Sequence, residues 1–260
     1  MCRWAAYLGD PILLEDLVLK PAHSLIEQSL HAVESKSEVN ADGFGIAWYG
    51  EHQEPGRYRD ILPAWSDGNL RSIVRHVRSR LFLAHVRAST GTETSRANCH
   101  PFVHDRWTFM HNGQIGDYER IRRSLDMRLP DAHYAARVGT TDSEAIFLLT
   151  HVMGLDDDPV GAIGRALGSV IADTEALGIT PHIRFTAALS DGQRVIGVRY
   201  ATDDYPPTLY HRRWDGVDGW TLASEPTTID EPGWEIVPTN SVVTLDGDGI
   251  HVAPFDVVRA

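Results

Sequence analysis

The placement of strand-like segments constrains this chain more than any other feature. Short runs rich in β-branched and aromatic residues gather towards both ends, and the longest helical patterns lie between them. Residues 3–8 read as a strand, as do Gly43–Tyr49, Leu81–Arg87 and Trp107–Met110. Beyond Gly178 come only strands and turns. Ile183–Leu189 and Arg194–Tyr200 flank the hairpin signal Ser190-Asp191-Gly192-Gln193. Thr221–Ala223, Ser241–Leu245 and Ile250–Ala253 follow, the last two joined by Asp246-Gly247-Asp248-Gly249. Helical spacing covers 23–33 (Leu25, Ile26, Leu30, Val33), 69–79, Thr141 through Val152, and roughly 159–177. Thr141 followed three residues later by Glu144 has the form of a capping box. Strands in blocks, rather than alternating with helices, predict an α+β fold with antiparallel sheets, as a single domain over residues 1–260.

Composition removes several classes of function. The 24 Lys and Arg against 36 Asp and Glu leave a net charge of -12, a surface that repels phosphate backbones and anionic membranes. No nucleic-acid or membrane partner is expected. Two cysteines, Cys2 and Cys99, exclude a disulfide-dense scaffold and a four-cysteine zinc site. No apolar run approaches the ~20 residues of a membrane span, and Met1–Tyr7 lacks the basic-then-apolar form of a signal peptide. A cytoplasmic protein is expected. His100 and His104 sit at the spacing of a helical metal pair, but Pro101 between them opposes the helix, so no metal is expected. Cys99 has no base or further ligand spaced sensibly near it.

Cys2 follows the initiator Met1 directly. Removal of Met1 would place a thiol and a free α-amine on one residue. A thiol is mostly protonated at neutral pH, whereas an α-amine of pKa about 7.7–8.0 can accept its proton. Nucleophile and base then share one residue, the cysteine counterpart of an N-terminal threonine. Position alone is a weak signal, since a cysteine near a chain start is ordinarily a small strand residue.

Three further segments concentrate polar groups at strand or helix ends. His85-Val86-Arg87-Ala88-Ser89-Thr90 closes an apolar strand with an arginine whose fork suits a carboxylate. In isolation Arg87 reads first as a structural ion pair. His111-Asn112-Gly113 offers an amide side chain and a glycine N–H, both donors fit for an oxyanion, although Asn-Gly is also the commonest hairpin dipeptide. Asp142, in Gly139-Thr140-Thr141-Asp142-Ser143-Glu144, could serve the helix start or bind a substrate ammonium group.

Taken in order, these segments resemble the class II glutamine amidotransferases, the N-terminal-nucleophile amidohydrolases. Met1-Cys2, Asn40–Gly45, His85–Thr90, Asn98-Cys99-His100-Pro101, Phe109–Gly113, Thr141–Glu144 and Ala223-Ser224-Glu225-Pro226 all take part, and together they span most of the chain. The resemblance implies a four-layer αββα sandwich of two antiparallel sheets between helical layers. It implies Cys2 as nucleophile with its freed amine as base, and Asn112 and the Gly113 amide as the oxyanion hole. Arg87 would bind the α-carboxylate of a glutamyl group and Asp142 its α-amine, with Thr90 and His85 beside the pocket. A γ-glutamyl thioester would form and be hydrolysed, with no cofactor.

The expected substrate is glutamine or another small γ-glutamyl compound. The chain is similar to stand-alone members that act in ergothioneine synthesis at Leu17-Val18-Leu19, Asn40–Gly43, Ala223–Pro226 and Gly233-Trp234, and departs from them at His111 and Gly139–Glu144. Two alternatives stand beside hydrolysis: delivery of ammonia to a separate subunit, and a silent subunit that binds a glutamyl ligand.

Overall fold

The first strand, β1 (Arg3–Leu13), is buried without interruption from Arg3 to Leu8, and Tyr7 within it is fully enclosed. Its side chains alternate between two apolar environments. Trp4, Ala6 and Leu8 enter one core, and Ala5 and Tyr7 another. A strand covered on both faces reads as a continuous apolar run, as it does here. The computed structural model describes residues 2–34, 39–89, 93–203, 205–228 and 231–258.

After β1 come α1 (Glu15–Val18), α2 (Leu25–Leu30), β2 (Phe44–Trp48), β3 (Gly56–Asp60), α3 (Gly68–His76) and β4 (Arg78–Val86). The middle of the chain forms β5 (Phe102–His104), β6 (Trp107–Ile115), α4 (Tyr118–Asp126), α5 (Asp131–Ala136), α6 (Asp142–Val152) and α7 (Pro159–Ala176). Strands complete it: β7 (Ile183–Ser190), β8 (Val195–Ala201), β9 (Tyr210–Arg213), β10 (Gly219–Ala223), β11 (Glu235–Ile236), β12 (Ser241–Asp246) and β13 (Gly249–Pro254). One sheet has the order β11-β9-β10-β1-β4-β2-β3 and the other β13-β12-β8-β7-β6-β5, with every pairing antiparallel.

Three cores separate four layers. Trp4, Leu81, Leu83, Met110, Ala188, Val195 and Val243 interdigitate between the two sheets. Tyr7, Phe82, Ala84 and Val86 turn the other way, onto α1, α2 and α3. On the far side, Phe109, Phe185, Ala187 and Leu189 pack under α4, α6 and α7. The αββα sandwich implied by the resemblance is the observed architecture.

Element boundaries depart from the sequence expectations in three places. The first strand runs on to Leu13 through a register shift between Leu8 and Ile12. The helix expected over 23–33 spans only Leu25–Leu30, and Val33 is exposed rather than core, because the Val33 and Glu34 amides donate to the Glu225 carboxylate at 2.9 and 3.1 Å. The helix expected to reach 79 stops at His76, where Val77 turns extended and Arg78 starts β4. Strands β3, β5, β9 and β11 and helices α1, α4 and α5 lie outside the sequence expectations. No helix among the described residues is long and apolar enough to cross a membrane.

Candidate active site

The middle strand of the first sheet delivers Cys2 to one end of the sandwich. Its side chain is half-buried and its Sγ lies 3.5 Å from the Ala88 carbonyl. Burial pushes the thiol above its ordinary range, and the Arg87 and Arg3 guanidinium groups pull it part of the way back. A thiol so placed needs a base to become a nucleophile. Arg3 itself is fully buried and lies 2.8 Å from Glu225. Burial pushes the Glu225 carboxyl up, but His23, the Val33 amide, Arg3 and the Glu34 amide outweigh it and hold the group below its ordinary range. This buried network anchors the residue next to Cys2.

One narrow cleft of about 60 Å³ is lined by Cys2, Arg87, Asn112, Gly113 and Asp142, together with Ala88, Ser89, Asn98, His100, His111, Thr141 and Ser143. A hollow of about 350 Å³ elsewhere, between Asp16, Arg212, Trp214 and Trp234, is lined by no cysteine, so chemistry rather than size selects the smaller cleft. Five of the seven expected site residues therefore come together from β1, β4, β6 and α6. His85 does not line the cleft. It stacks behind His100, ring centroids 4.4 Å apart. Thr90 lies outside the described residues.

Arg87 directly follows β4 and is tied to β2 through its backbone. Its amide donates to the Gly43 carbonyl (2.8 Å), and its carbonyl accepts from the Asp42 amide (3.0 Å). The guanidinium donates to the Asp42 carbonyl, the Ser89 hydroxyl and the Glu93 carbonyl at 3.2–3.3 Å. Asp42 also accepts from the Ser89 amide at 2.7 Å, holding the turn after Arg87. A side chain on Gly45 would collide with the His100 carbonyl, so the glycine in β2 lets the Asn98–His100 segment cross it closely.

Asn112 stands on β6 opposite Thr186, two residues from Met110 and so on the face that looks between the sheets. It is buried, and its Nδ2 has no hydrogen-bond partner among the described residues. A donor held out of water without an acceptor is costly, and here it borders the cleft that holds the thiol. At Gly113 a Cβ would collide with the Arg184 carbonyl, which requires glycine at that position.

Asp142 opens α6. Its carboxylate accepts from the Ser143 amide (2.8 Å) and from the Ile115 amide (3.0 Å), which ties the helix start to the end of β6. A carboxylate has about four lone-pair sites, so capacity remains for a ligand. Thr141 caps the helix by accepting from the Glu144 amide at 3.2 Å. The capping box is completed on one side only, since Glu144 instead accepts from the Val138 and Gly139 amides at 3.1 and 2.7 Å.

Three buried histidines surround these groups. Burial, with Arg87 nearby, holds His85 down to about 3. His100 is likewise held well below its ordinary range by burial and by His85. Burial also lowers His111, opposed by Asp142. The neutral His111 ring is oriented by Arg184, whose carbonyl accepts from Nε2 (3.3 Å), and by Ser143, whose hydroxyl donates to Nδ1 (2.9 Å). Asn98, His100 and Ser143 also line the cleft, and sequence reasoning does not single them out. Their only signal is membership of motifs whose loops return to one place in space. Cys99 is fully buried, with its Sγ 3.5 Å from the Asp60 and Ser95 carbonyls and away from the cleft.

Residues 19–205 match the family described as glutamine amidotransferases class-II. The chain is 32% identical to the probable glutamine amidotransferase DUG3 of Saccharomyces cerevisiae, across 98% of this chain and 84% of that protein. It is 31% identical to the gamma-glutamyl-hercynylcysteine sulfoxide hydrolase of Mycolicibacterium smegmatis, across 98% of this chain and 100% of that one. A solved glutamine aminotransferase class-II domain protein from Silicibacter pomeroyi superposes with a TM-score of 0.80 at 40% identity, covering 99% of this chain and 100% of the other. The fold extends to the glutamine phosphoribosylpyrophosphate amidotransferase of B. subtilis, with a TM-score of 0.65 at 13% identity, over 99% of this chain and 50% of that one. Matched along most of its length in both sequence and fold, the chain belongs to the class II glutamine amidotransferases and is an amidohydrolase.

Proposed function

We propose that the protein, once Met1 is removed, hydrolyses the γ-amide bond of a small γ-glutamyl compound through a thioester on Cys2. The observation that carries this reading is the convergence of the Cys2 thiol, the unpartnered Asn112 amide, Arg87 and Asp142 on one cleft. Arg87 and Asp142 offer opposite charges, suited to the α-carboxylate and α-ammonium of a glutamyl head group. The relative that hydrolyses gamma-glutamyl-hercynylcysteine sulfoxide supports hydrolysis of a substituted γ-glutamyl compound.

In this mechanism the α-amine of Cys2 takes the thiol proton and the sulfur attacks the γ-carbonyl carbon. The carbonyl electron pair moves to oxygen, where Asn112 Nδ2–H and the Gly113 N–H stabilise it. The C–N bond breaks, and the α-ammonium returns its proton to the leaving amine. Water, deprotonated by the same amine, attacks the thioester. Glutamate leaves and the thiol is restored.

The test is free glutamate release from a panel of γ-glutamyl amides with glutamine as reference, using protein whose N-terminal Cys2 is verified by mass spectrometry. Cys2→Ala is expected to lower the rate at least ~10³-fold. A γ-glutamyl adduct should be trapped on Cys2 by acid quench. Undiminished turnover in Cys2→Ala would overturn the reading.

A further inference from the structure

Three histidines meet on the helical side of the second sheet, away from the cleft. His104 ends β5, His133 lies in α5 and His151 in the last turn of α6. Their ring centroids are 4.7 Å apart for His104 and His151, 5.3 Å for His104 and His133, and 6.2 Å for His133 and His151. One ligating atom from each ring lies within 4.8 Å of the other two. All three side chains are partly buried. Nδ1 of His133 and Nε2 of His151 are shielded from solvent without a hydrogen-bond partner among the described residues.

A histidine enclosed for packing alone ordinarily bonds a carbonyl or a carboxylate. These rings turn towards one another instead. The carboxylates nearby are turned to other tasks. Asp105 stands 3.8 Å from His104 and is largely exposed, and Asp156 is held by the Trp107 indole N–H (2.9 Å) and by Arg106 (2.6 Å). Converging imidazoles whose shielded nitrogens lack other partners among the described residues suit a metal ion.

We propose that His104, His133 and His151 bind one divalent d-block cation, zinc in the first instance, with three imidazole nitrogens and a water in the fourth position. An all-imidazole set suits zinc, copper or nickel and not magnesium or calcium. Zinc–nitrogen bonds of about 2.0–2.1 Å in a tetrahedron place the nitrogens roughly 3.3 Å apart. The rings must therefore close by at most ~1.5 Å, given the 4.8 Å envelope. Side-chain rotation can supply this, helped by α5, a single short helix with no buried residue. His151 stands nine residues beyond Asp142 on the same helix, about 14 Å along its axis. The cation thus takes no part at the Cys2 cleft. It would clamp the edge strand β5 and the short α5 onto the helix that carries Asp142.

The test uses the full chain, stripped with a chelator, in a Cys2→Ala background so that the cleft thiol cannot ligate. Calorimetric titration with Zn²⁺ is expected to give one equivalent, and Co²⁺ to give the visible bands of a four-coordinate site. His104→Gln and His133→Gln should each weaken binding roughly 100-fold or more, since even loss of a ligand's supporting partner costs about 10–100-fold. Saturating Zn²⁺ should raise Tm by about 5 °C in the parent and by much less in both variants. With Cys2 intact, His133→Gln should keep its glutamate release, which shows that it folds. Absence of stoichiometric binding, or equal affinity in parent and variants, would overturn the proposal.

Discussion

Asn112 has a cost and, in the proposed reaction, a use that meet at the same atom. Its Nδ2 is shut away from water with no acceptor among the described residues, which favours whatever oxygen arrives in the cleft with negative charge. Asn112→Ala is expected to lower kcat by about 10²–10³ with little change in KM, as measured by steady-state glutamate release. Gly113→Ala should behave differently, because the added methyl meets the Arg184 carbonyl and the His111 ring. It is expected to lower both Tm and kcat, which thermal melts and the same assay would separate from the Asn112 effect. Cys2 and Asn112-Gly113 are legible in the sequence only as members of an ordered set of motifs, since each alone has an ordinary structural reading. His85 is not. Its ring lies behind His100 rather than beside the pocket, and only the packing of β4 against a loop some fifteen residues later reveals it.

Helix α6 shows how an element can follow its sequence pattern and still work differently from expectation. Its start at Asp142 and its Thr141 cap match the pattern. Glu144, however, does not bond back to the cap. It gathers the Val138 and Gly139 amides and so holds the loop leading into the helix. Glu144→Ala should therefore cost about 2 kcal/mol in urea denaturation, from two stranded amide donors. It should also raise KM, because Asp142 rides on the same turn. The elements that the sequence hides have their own reasons. Strand β3, Gly-Arg-Tyr-Arg-Asp, sits at a sheet edge and carries charges in place of an apolar run. Helix α4 buries Tyr118, Ile121 and Leu125 at helical spacing, a signal present in the sequence but diluted by its many charges.

At the scale of the whole molecule, the two sheets enclose His85 and His100 as neutral rings. The ordinary histidine value is 6.5, and the folded value of His85 is about 3, so the unfolded chain binds the proton more readily. Stability from this burial is complete above pH 6.5 and is lost as pH falls towards 3. His85 alone should cost about 2 kcal/mol between pH ~7.5 and ~5. In urea melts across that range, His85→Gln is expected to show a shallower loss with pH than the parent. Glu225, held below its ordinary range, adds the same sign at lower pH. The antiparallel α+β class is legible because strands cluster in blocks. Strand order is not, since β1 pairs with β10 more than two hundred residues away, and a single chain carries no local mark of so distant a neighbour.

The strand that begins directly after Cys2 lies in the centre of its sheet, gripped by β10 on one side and β4 on the other. In the proposed reaction, any residue left in front of Cys2 would block the α-amine that serves as base. A purification handle at that end is therefore expected to abolish glutamate release, and one at the opposite end to leave it unchanged.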